Sequence, residues 1–282
     1  MALASWGRRV GDTLVMVAVP RRPWRPKAVL TEIVPYAAGI AVWQALSSLN
    51  IWPSVLFPSP NQVFWAFLAD LRSGVLPRAM SVSLVSLGWG FLVGAGIALP
   101  LGYLMGLNRA CRDFFDPLVN LLQAIPGLAW IPFAILWFGL GEGAVTFIIV
   151  MSVFFPVLQN LLAGIRLVQL VLVEASQTLG AGRMAIIVHV IFPATLPHLM
   201  TGIRLGIAFG FRSLVGGEMI ASTDGIGYQI FNAQQYFQSA RIVVGMLAIG
   251  ISWILLDRLV LRPVERRTSM RWGLMRDGIE NT

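Results

Sequence analysis

Arg212 and Glu218 carry charges inside an apolar stretch of the sequence, which makes both candidates for contact with a solute. Ionisable groups at membrane depth are costly and usually face a cavity or a charged partner. A guanidinium can hold a carboxylate or a sulfonate through two hydrogen bonds, so Arg212 suits an anion. The alternative role for Arg212 is a buried ion pair with another segment. The Glu218 carboxylate would repel an anion, so a structural or gating role is favoured for Glu218. It remains a candidate residue of the path that a solute would take.

Gln123 and Trp130 lie in a second apolar stretch, which two prolines interrupt at positions 126 and 132. Each proline removes a backbone donor and kinks a helix, and such breaks are tolerated in membranes where they border a cavity or pack against neighbours. The sequence therefore makes Gln123 and Trp130 candidates for lining a path. Ordinary kinked packing remains an open interpretation of either residue.

A segment of about thirty residues, 166–196, lies between two apolar stretches and is unusually long for a loop of this chain. Its first half favours a helix, Gly180 and Gly182 end that helix, and a second helical stretch runs to Phe192-Pro193. Small residues gather at the turn, where another protein surface could approach the backbone closely. They are Ala175, Ser176, Gly180, Ala181 and Gly182. The sequence predicts a helical hairpin that is suited to contact with a partner.

The residue sets that carry out catalysis are absent from the sequence. Lys27 is the only lysine and lies among prolines and arginines, so the glycine-rich loop with lysine that cradles phosphates is missing. Neither a His-Glu-x-x-His metal motif nor a Gly-x-Ser-x-Gly nucleophile motif occurs. A single cysteine, Cys111, and two histidines argue against a zinc or iron centre. We therefore expect no catalytic residue, no metal site and no cofactor bound by this chain.

The composition is that of a membrane protein. Of the 282 residues, 57% are hydrophobic and 12% are charged, about half the charged fraction of a soluble domain. The net charge of +8 comes from basic residues at the edges of apolar runs, which membrane topology explains better than nucleic-acid binding does.

Six apolar segments are long enough to cross a bilayer as helices, which takes about 20 residues each. They are 29–47, 80–106, 117–139, 143–164, 197–221 and 241–261. None shows the shorter, alternating pattern of barrel strands. The sequence predicts an all-α polytopic membrane protein with six transmembrane helices.

Loop charges predict the orientation of these spans. With the N-terminus inside, the inner segments contain sixteen arginine or lysine residues and the outer segments three, namely Arg72, Arg78 and Arg241. This bias predicts cytoplasmic termini. We expect a basic cytoplasmic tail over 1–28, a transmembrane domain over 29–265 that includes the loop 166–196, and a second cytoplasmic tail over 266–282.

Two local patterns add to this outline. Ser59-Pro60-Asn61-Gln62 has the residues of a capping box and predicts a short outer helix to about Leu71, ended near Gly74. Glycines also recur every four residues within two spans, a spacing that lets helices approach closely. These glycines are Gly90 and Gly94, Gly102 and Gly106, and Gly202, Gly206 and Gly210. They favour either a dimer contact or packing within the chain.

The segment Glu174-Ala175-Ser176, with Gly180 six positions after Glu174 and Phe192-Pro193 beyond it, resembles the EAA loop of ABC importer permeases. It departs from the usual pattern in having serine at 176 and phenylalanine at 192. Further resemblance, to the nitrate/sulfonate/taurine-type branch, covers about 29–265. It lies in Phe57-Pro58-Ser59-Pro60, Ile125-Pro126, Leu128-Ala129-Trp130-Ile131-Pro132, Leu136-Trp137-Phe138-Gly139-Leu140-Gly141-Glu142 and Glu218-Met219-Ile220.

The resemblance implies the fold and the partners. It implies a type I ABC importer-like permease in the bacterial inner membrane that forms a homodimer. Two ATPase subunits would bind ATP and magnesium and dock on the inner loops. An extracytoplasmic binding protein would deliver the solute, commonly a sulfonate, taurine, nitrate or bicarbonate. Glu174, Ala175, Ser176 and Gly180 would couple to the ATPase, and the third and fifth spans, with Gln123, Trp130 and Arg212, would line the path.

Two other classes of protein are weighed against this interpretation. An autonomous secondary transporter or channel would need ion-coupling carboxylates at mid-depth or inverted repeats. The sequence has one internal acid of this kind, Glu218, and shows no clear repeat. An intramembrane enzyme would need the nucleophile or metal sets that are missing.

Overall fold

The structure, a computed structural model, describes residues 26–49, 51 and 53–264, and every regular element in this part of the chain is helical. The predicted basic tail up to residue 25 and the predicted C-terminal tail lie outside the described residues. The helices are α1 (Pro26–Ser48), α2 (Pro60–Arg72), α3 (Val75–Leu107), α4 (Arg109–Gln123), α5 (Ile131–Phe138), α6 (Glu142–Arg166), α7 (Leu170–Thr178), α8 (Arg183–Ile186), α9 (Phe192–Ala221), α10 (Ile226–Gln235) and α11 (Ser239–Leu256). A 3₁₀ turn and two π-helical turns complete them: Gly127–Trp130, Ile187–Ile191 and Asp257–Leu261.

The chain forms two compact units, 1–49 and 50–282. The described part of the first unit consists of α1, a helix of 23 residues that contains Pro35. The predicted first span, 29–47, lies within α1. At about 1.5 Å per residue, a helix of this length extends roughly 34 Å.

In the second unit, four continuous helices are long and apolar enough to cross a membrane. They are Val75–Leu107, Glu142–Arg166, Arg183–Ala221 and Ser239–Val264. Each contains one predicted span. A fifth crossing is possible only if the bent pair Arg109–Gln123 and Gly127–Phe138 counts as one span. The all-α membrane class is confirmed, whereas the count of six is not confirmed exactly.

The predicted span 117–139 is not a single helix in the structure. Helix α4 ends at Gln123, and the next helical stretch, Gly127–Phe138, is bent from it by 91°. The break falls at Pro126, whose backbone has φ −58° and ψ 143° and so leaves the helical region. A proline has no N–H to donate and also disfavours helical geometry at the residue before it, here Ile125. The kink predicted from the prolines is therefore a complete break.

Helix α6 forms the centre of the second unit, between α3 and α9. The glycines of α9 face α6 closely: a methyl group at Gly202 would lie 2.8 Å from the Cβ of Asn160, and one at Gly210 would lie 2.9 Å from a methyl of Val153. The glycines of α3 also approach α6 closely. These are Gly90, Gly94, Gly102 and Gly106. The glycine ladders are therefore packing surfaces within the chain, as one of the two interpretations predicted.

The short helix α2 begins as the sequence predicts. The Gln62 N–H donates to the Ser59 hydroxyl at 3.3 Å, and the Ser59 N–H donates to the Gln62 side chain at 3.0 Å. This capping box satisfies donors that the first turn of a helix leaves free. The helix ends at Arg72, and Gly74 follows with φ +78°.

The loop 166–196 contains the predicted hairpin, but its second arm does not stop at Pro193. Helix α8, the π-helical turn Ile187–Ile191 and α9 form one helix of 39 residues, Arg183–Ala221. Pro193 lies in the first turn of α9, directly after the π turn, where the missing N–H of a proline is tolerated. The hairpin is thus continuous with a helix that is long and apolar enough to span a membrane.

Candidate functional site

The hairpin predicted within 166–196 consists of α7, a four-residue turn and α8. Its turn depends on Gly180, whose φ of +80° is a left-handed conformation that glycine adopts without steric cost. The Ala181 N–H donates to the Ser176 carbonyl at 3.0 Å, and the Leu179 N–H donates to the Ala175 carbonyl at 3.2 Å. These bonds end α7 in the manner of a glycine C-cap.

The hairpin exposes apolar side chains to an unusual degree. No residue of α7 is buried, and the side chain of Leu179 at the turn is 88% exposed. We call four exposed apolar residues of the hairpin the hairpin patch: Leu170, Val171, Leu179 and Met184. Exposed apolar side chains that gather on one element are typical of an interaction surface.

Glu174, Ala175, Ser176 and Gly180, the predicted coupling residues, lie together on this hairpin. The Ser176 hydroxyl donates to the Leu172 carbonyl at 2.7 Å, so it is satisfied within α7. Glu174 is exposed, and in the described part of the chain no basic side chain pairs with it. The Glu174 carboxylate is therefore available to a group outside this chain.

The second predicted site surrounds the break between α4 and the 3₁₀ turn. Gln123, the last residue of α4, accepts a hydrogen bond from the Gln159 amide of α6 at 3.0 Å and donates to Asn120 at 2.9 Å. These hydrogen bonds hold polar side chains beside the end of α4. Sequence reasoning missed Asn120 and Gln159, although Asn120 is one helical turn from Gln123.

The 3₁₀ turn Gly127–Trp130 packs directly on α9. A side chain at Gly127 would overlap the hydroxyl groups of Ser152 and Ser213, which hydrogen-bond to each other at 2.7 Å. Leu128 packs against Gly216 in the same way. The helix break therefore lies against the part of α9 that contains Arg212.

Arg212 is exposed on α9, with its guanidinium 5.8 Å from the centre of the Phe209 ring. Among the residues that the structure describes, no carboxylate lies within ion-pair distance of it. Arg204, two turns earlier on the same helix, differs: it pairs with Asp257 at 3.1 Å. Within the described residues, therefore, no ion pair explains Arg212 as a structural charge.

Trp130 ends the 3₁₀ turn and belongs to an aromatic cluster. Its ring lies 6.1 Å from that of Phe147 on α6 and 6.2 Å from that of Phe133. The indole Nε1 is buried and has no hydrogen-bond partner in the described chain. Trp130 thus packs beside the break through its ring.

Glu218 is buried and lies apart from the other three candidate path residues. Its side chain is 1% exposed, and its carboxylate accepts hydrogen bonds from the Ser83 hydroxyl at 2.6 Å and the Gly227 N–H at 2.8 Å. Gln123 and Trp130 flank the helix break, and Arg212 is next in sequence to Ser213, which lies against Gly127 of the turn. Glu218 instead joins three helices near the C-terminal end of α9.

Residues 98–262 match the family described as "Binding-protein-dependent transport system inner membrane component", which is more than half of the chain. The chain belongs to this family. The permease is 31% identical to the taurine transport system permease protein TauC of Escherichia coli (strain K12), over 88% of the chain and 92% of that protein. It is 32% identical to the putative aliphatic sulfonates transport permease protein SsuC of Bacillus subtilis (strain 168), over 90% and 92%. It is 28% identical to the bicarbonate transport system permease protein CmpB of Synechococcus elongatus, over 85% and 90%.

Membership of this family establishes the general role of the permease. It is a multi-pass inner-membrane subunit of an ABC importer, an assembly that includes a solute-binding protein and a separate ATPase. The permease is a transport subunit and not an enzyme, and nucleotide is used by the partner ATPase.

Proposed function

We propose that the permease moves a small anion, such as a sulfonate, taurine, nitrate or bicarbonate, into the cell by alternating access. Three relatives are named for taurine, aliphatic sulfonates and bicarbonate, and each of these solutes contains an anionic group. The observation that carries the proposal is the exposed guanidinium of Arg212 beside the helix break. A fixed positive charge at this depth favours anions over neutral solutes.

Gln123 and Trp130 complete the proposed path. Both flank a break in a helix, and irregular backbone at membrane depth is tolerated where it lines a cavity or is buried in protein. Ser213, next to Arg212, lies against the same break through Gly127. An anion that reaches Arg212 would therefore pass the 3₁₀ turn.

The hairpin is the proposed contact with the ATPase. Glu174, Ala175, Ser176 and Gly180 would lie in the contact, and the hairpin patch would be covered by it. The second arm of the hairpin continues without interruption into the span that contains Arg212. A displacement of the hairpin would therefore move the proposed path directly.

The assembly would contain two copies of the permease, two ATPase subunits and one extracytoplasmic binding protein. A C2 pair would let two identical hairpins meet two identical ATPases. The charge bias of the loops supports cytoplasmic termini, with both hairpins on the same side as the ATPases.

Reconstitution of the permease with its ATPase and binding protein in liposomes tests the proposal. We expect uptake of a small sulfonate only when ATP reaches the ATPase, and weaker uptake of a neutral analogue of the same size. Uptake that continues without the ATPase would instead indicate an autonomous transporter. Equal uptake of the neutral analogue would remove the proposed role of Arg212.

A further inference from the structure

Glu218 connects three helices through one buried carboxylate. It belongs to α9, it accepts the Ser83 hydroxyl of α3 at 2.6 Å, and it accepts the Gly227 N–H of α10 at 2.8 Å. Ser83 in turn accepts the Ile226 N–H of α10 at 2.9 Å. The first turn of α10 is therefore capped by two side chains that are distant from it in the sequence.

The contact between Glu218 and the first turn of α10 depends on close approach of the backbone as well as on hydrogen bonds. The first N–H groups of a helix have no partner within the helix, and an anionic group near them is stabilised by the helix dipole. The cap residue of α10 itself is Gly225, with φ +104°, which supplies no side-chain acceptor. A methyl group at Gly225 or Gly227 would overlap Glu218, so both glycines let α10 approach the carboxylate closely.

Glu218 also lies on the helix that begins at the inner hairpin. The helix Arg183–Ala221 has 39 residues, which corresponds to about 58 Å at 1.5 Å per residue. One end belongs to the hairpin and the other carries Glu218. A rigid shift or rotation of this helix would therefore move the group that caps α10.

We propose that Glu218 is a positioning residue that makes α10 follow the movement of the helix Arg183–Ala221. This inference rests on the proposed function, because it requires that the long helix moves when ATP is used. It assigns Glu218 to the coupling of helices and not to contact with the solute. Its carboxylate is fully engaged by Ser83 and Gly227 and points away from solvent.

The residues after the C-terminal end of α10 are those that its movement would displace. Tyr236 and Phe237 follow α10 and are 70% and 72% exposed. Phe237 has φ +54°, a conformation that is uncommon for a residue other than glycine. Beyond it, Arg241 pairs with Asp70 of α2 at 3.3 Å. Thus α10 would carry the displacement from Glu218 to an exposed aromatic pair at the outer side.

Spin-label distances between two copies in the assembled transporter test the inference. One label at Ile220 reports on α9 and one at Gln234 reports on α10, each introduced as the only cysteine in a Cys111→Ser background. Both positions are exposed. In the parent protein we expect both distances to shift between the nucleotide-free state and the state with ATP and vanadate.

Two variants remove the connection by different amounts. In Glu218→Ala, we expect the Ile220 distance to shift as before and the Gln234 distance to lose its shift and broaden. In the milder Ser83→Ala, which keeps the bond from Gly227 to Glu218, we expect the Gln234 distance to lose part of its shift. In Glu218→Gln, which keeps an acceptor, part of the Gln234 shift should return. The matched control is Tyr103→Phe, which removes a 3.0 Å bond to Thr195 between α3 and α9 far from α10 and should leave both shifts intact.

The outcomes separate the inference from the proposed function. If both labels still shift together in Ser83→Ala and Glu218→Ala, Glu218 does not position α10, whatever the loss in thermal stability. If Tyr103→Phe uncouples the Gln234 label as strongly as Ser83→Ala does, the effect is general loosening and the inference is wrong. If the Ile220 label does not shift in the parent protein, the proposed alternating access fails and the inference fails with it.

Discussion

A guanidinium on the exposed side of a membrane helix, with no carboxylate near it in the described chain, is unusual because a charge in this environment is normally paired. Arg212 is in this position, whereas Arg204 of the same helix pairs with Asp257. The contrast between two arginines of one helix supports different roles for them. Arg204 connects α9 to the π-helical turn Asp257–Leu261, whereas Arg212 is the proposed contact with a solute.

Replacing Arg212 by glutamine is expected to lower anion uptake while the protein still folds. The loss of a charged hydrogen-bonded contact, about 1.5–3 kcal/mol, corresponds to a fall of roughly tenfold to a hundredfold in uptake efficiency. Arg212→Lys should restore only part of the uptake, because lysine keeps the charge but lacks the two-pronged geometry. Uptake in liposomes and thermal stability should be measured on the same preparations.

Arg109→Gln is the control for this substitution, since it removes an arginine from an exposed pair with Asp113 and is expected to leave uptake unchanged. Normal uptake in a well-folded Arg212→Gln protein would exclude a solute contact. A large loss of stability in that variant would instead indicate a structural ion pair, with a partner outside the described chain.

The candidate site residues could be identified from the sequence, but the residues that they contact could not. Glu218 and Ser83 are 135 positions apart, and no helical spacing connects them. The same holds for Gln123 of α4 and Gln159 of α6, which are 36 positions apart and are joined by a hydrogen bond that no local spacing predicts. Charge and polarity within an apolar run can be identified from sequence, whereas a contact between spans depends on how the helices are arranged.

Helix α6 packs closely against glycines of both α3 and α9. This close packing determines which glycines tolerate a side chain. A methyl group at Gly202 would lie 2.8 Å from the Asn160 Cβ and 3.2 Å from the Pro156 carbonyl oxygen. Gly96 of α3 has no such neighbour within 4 Å. The two positions therefore form a matched pair of helical glycines, one packed and one open.

We expect Gly202→Ala to destabilise the permease by about 1–3 kcal/mol, because the added methyl forces α6 and α9 apart. Gly96→Ala should be neutral or stabilising by up to about 1 kcal/mol, because alanine favours a helix more than glycine does. Unfolding in a mild detergent, followed by circular dichroism, measures both. Equal stability of the two variants would show that the close packing of α9 on α6 is not required.

Elements were predictable where one local signal determined them. The capping box at Ser59 and the glycine turn at Gly180 are encoded in a few adjacent residues, and both are found as predicted. The two prolines were harder to interpret. Pro126 breaks its helix completely, whereas Pro193 lies within a continuous one because the π turn before it changes the hydrogen-bond register. The effect of a proline depends on the turn that surrounds it.

At the scale of the whole molecule, the permease is expected neither to bind nor to hydrolyse ATP on its own. The sequence lacks the glycine-rich phosphate loop with its lysine, and its family uses a separate ATPase. Radiolabelled ATP binding and phosphate release should both be at background for the purified chain. Turnover that co-purifies with the permease through several columns, in the absence of a second subunit, would contradict this expectation.

The separation of transport and ATP hydrolysis between two chains was predictable, because it rests on motifs that are local in sequence. A hairpin is present and a phosphate loop is missing. The number of spans was less predictable. Apolar length identified 117–139 as a span, but length does not show that the backbone turns by 91° inside it. Dimerisation, docking of the ATPase and the choice of solute depend on surfaces of other chains and remain proposals.

We propose that the hairpin couples the permease to its ATPase, and Gly180→Trp tests this coupling most directly. Gly180 has φ +80° and open space around it, so a bulky side chain there fits the isolated chain but prevents close approach of a partner. Gly74→Trp is the matched control, because Gly74 has φ +78° and equally open surroundings at the other end of the molecule. Both variants impose the same left-handed strain.

The measurement is solute-stimulated ATP hydrolysis by the complex in liposomes, together with the amount of ATPase that co-purifies. We predict that Gly180→Trp loses the stimulation or the bound ATPase, and that Gly74→Trp keeps both. If Gly180→Trp retains full assembly and full stimulation, the hairpin is not the coupling element.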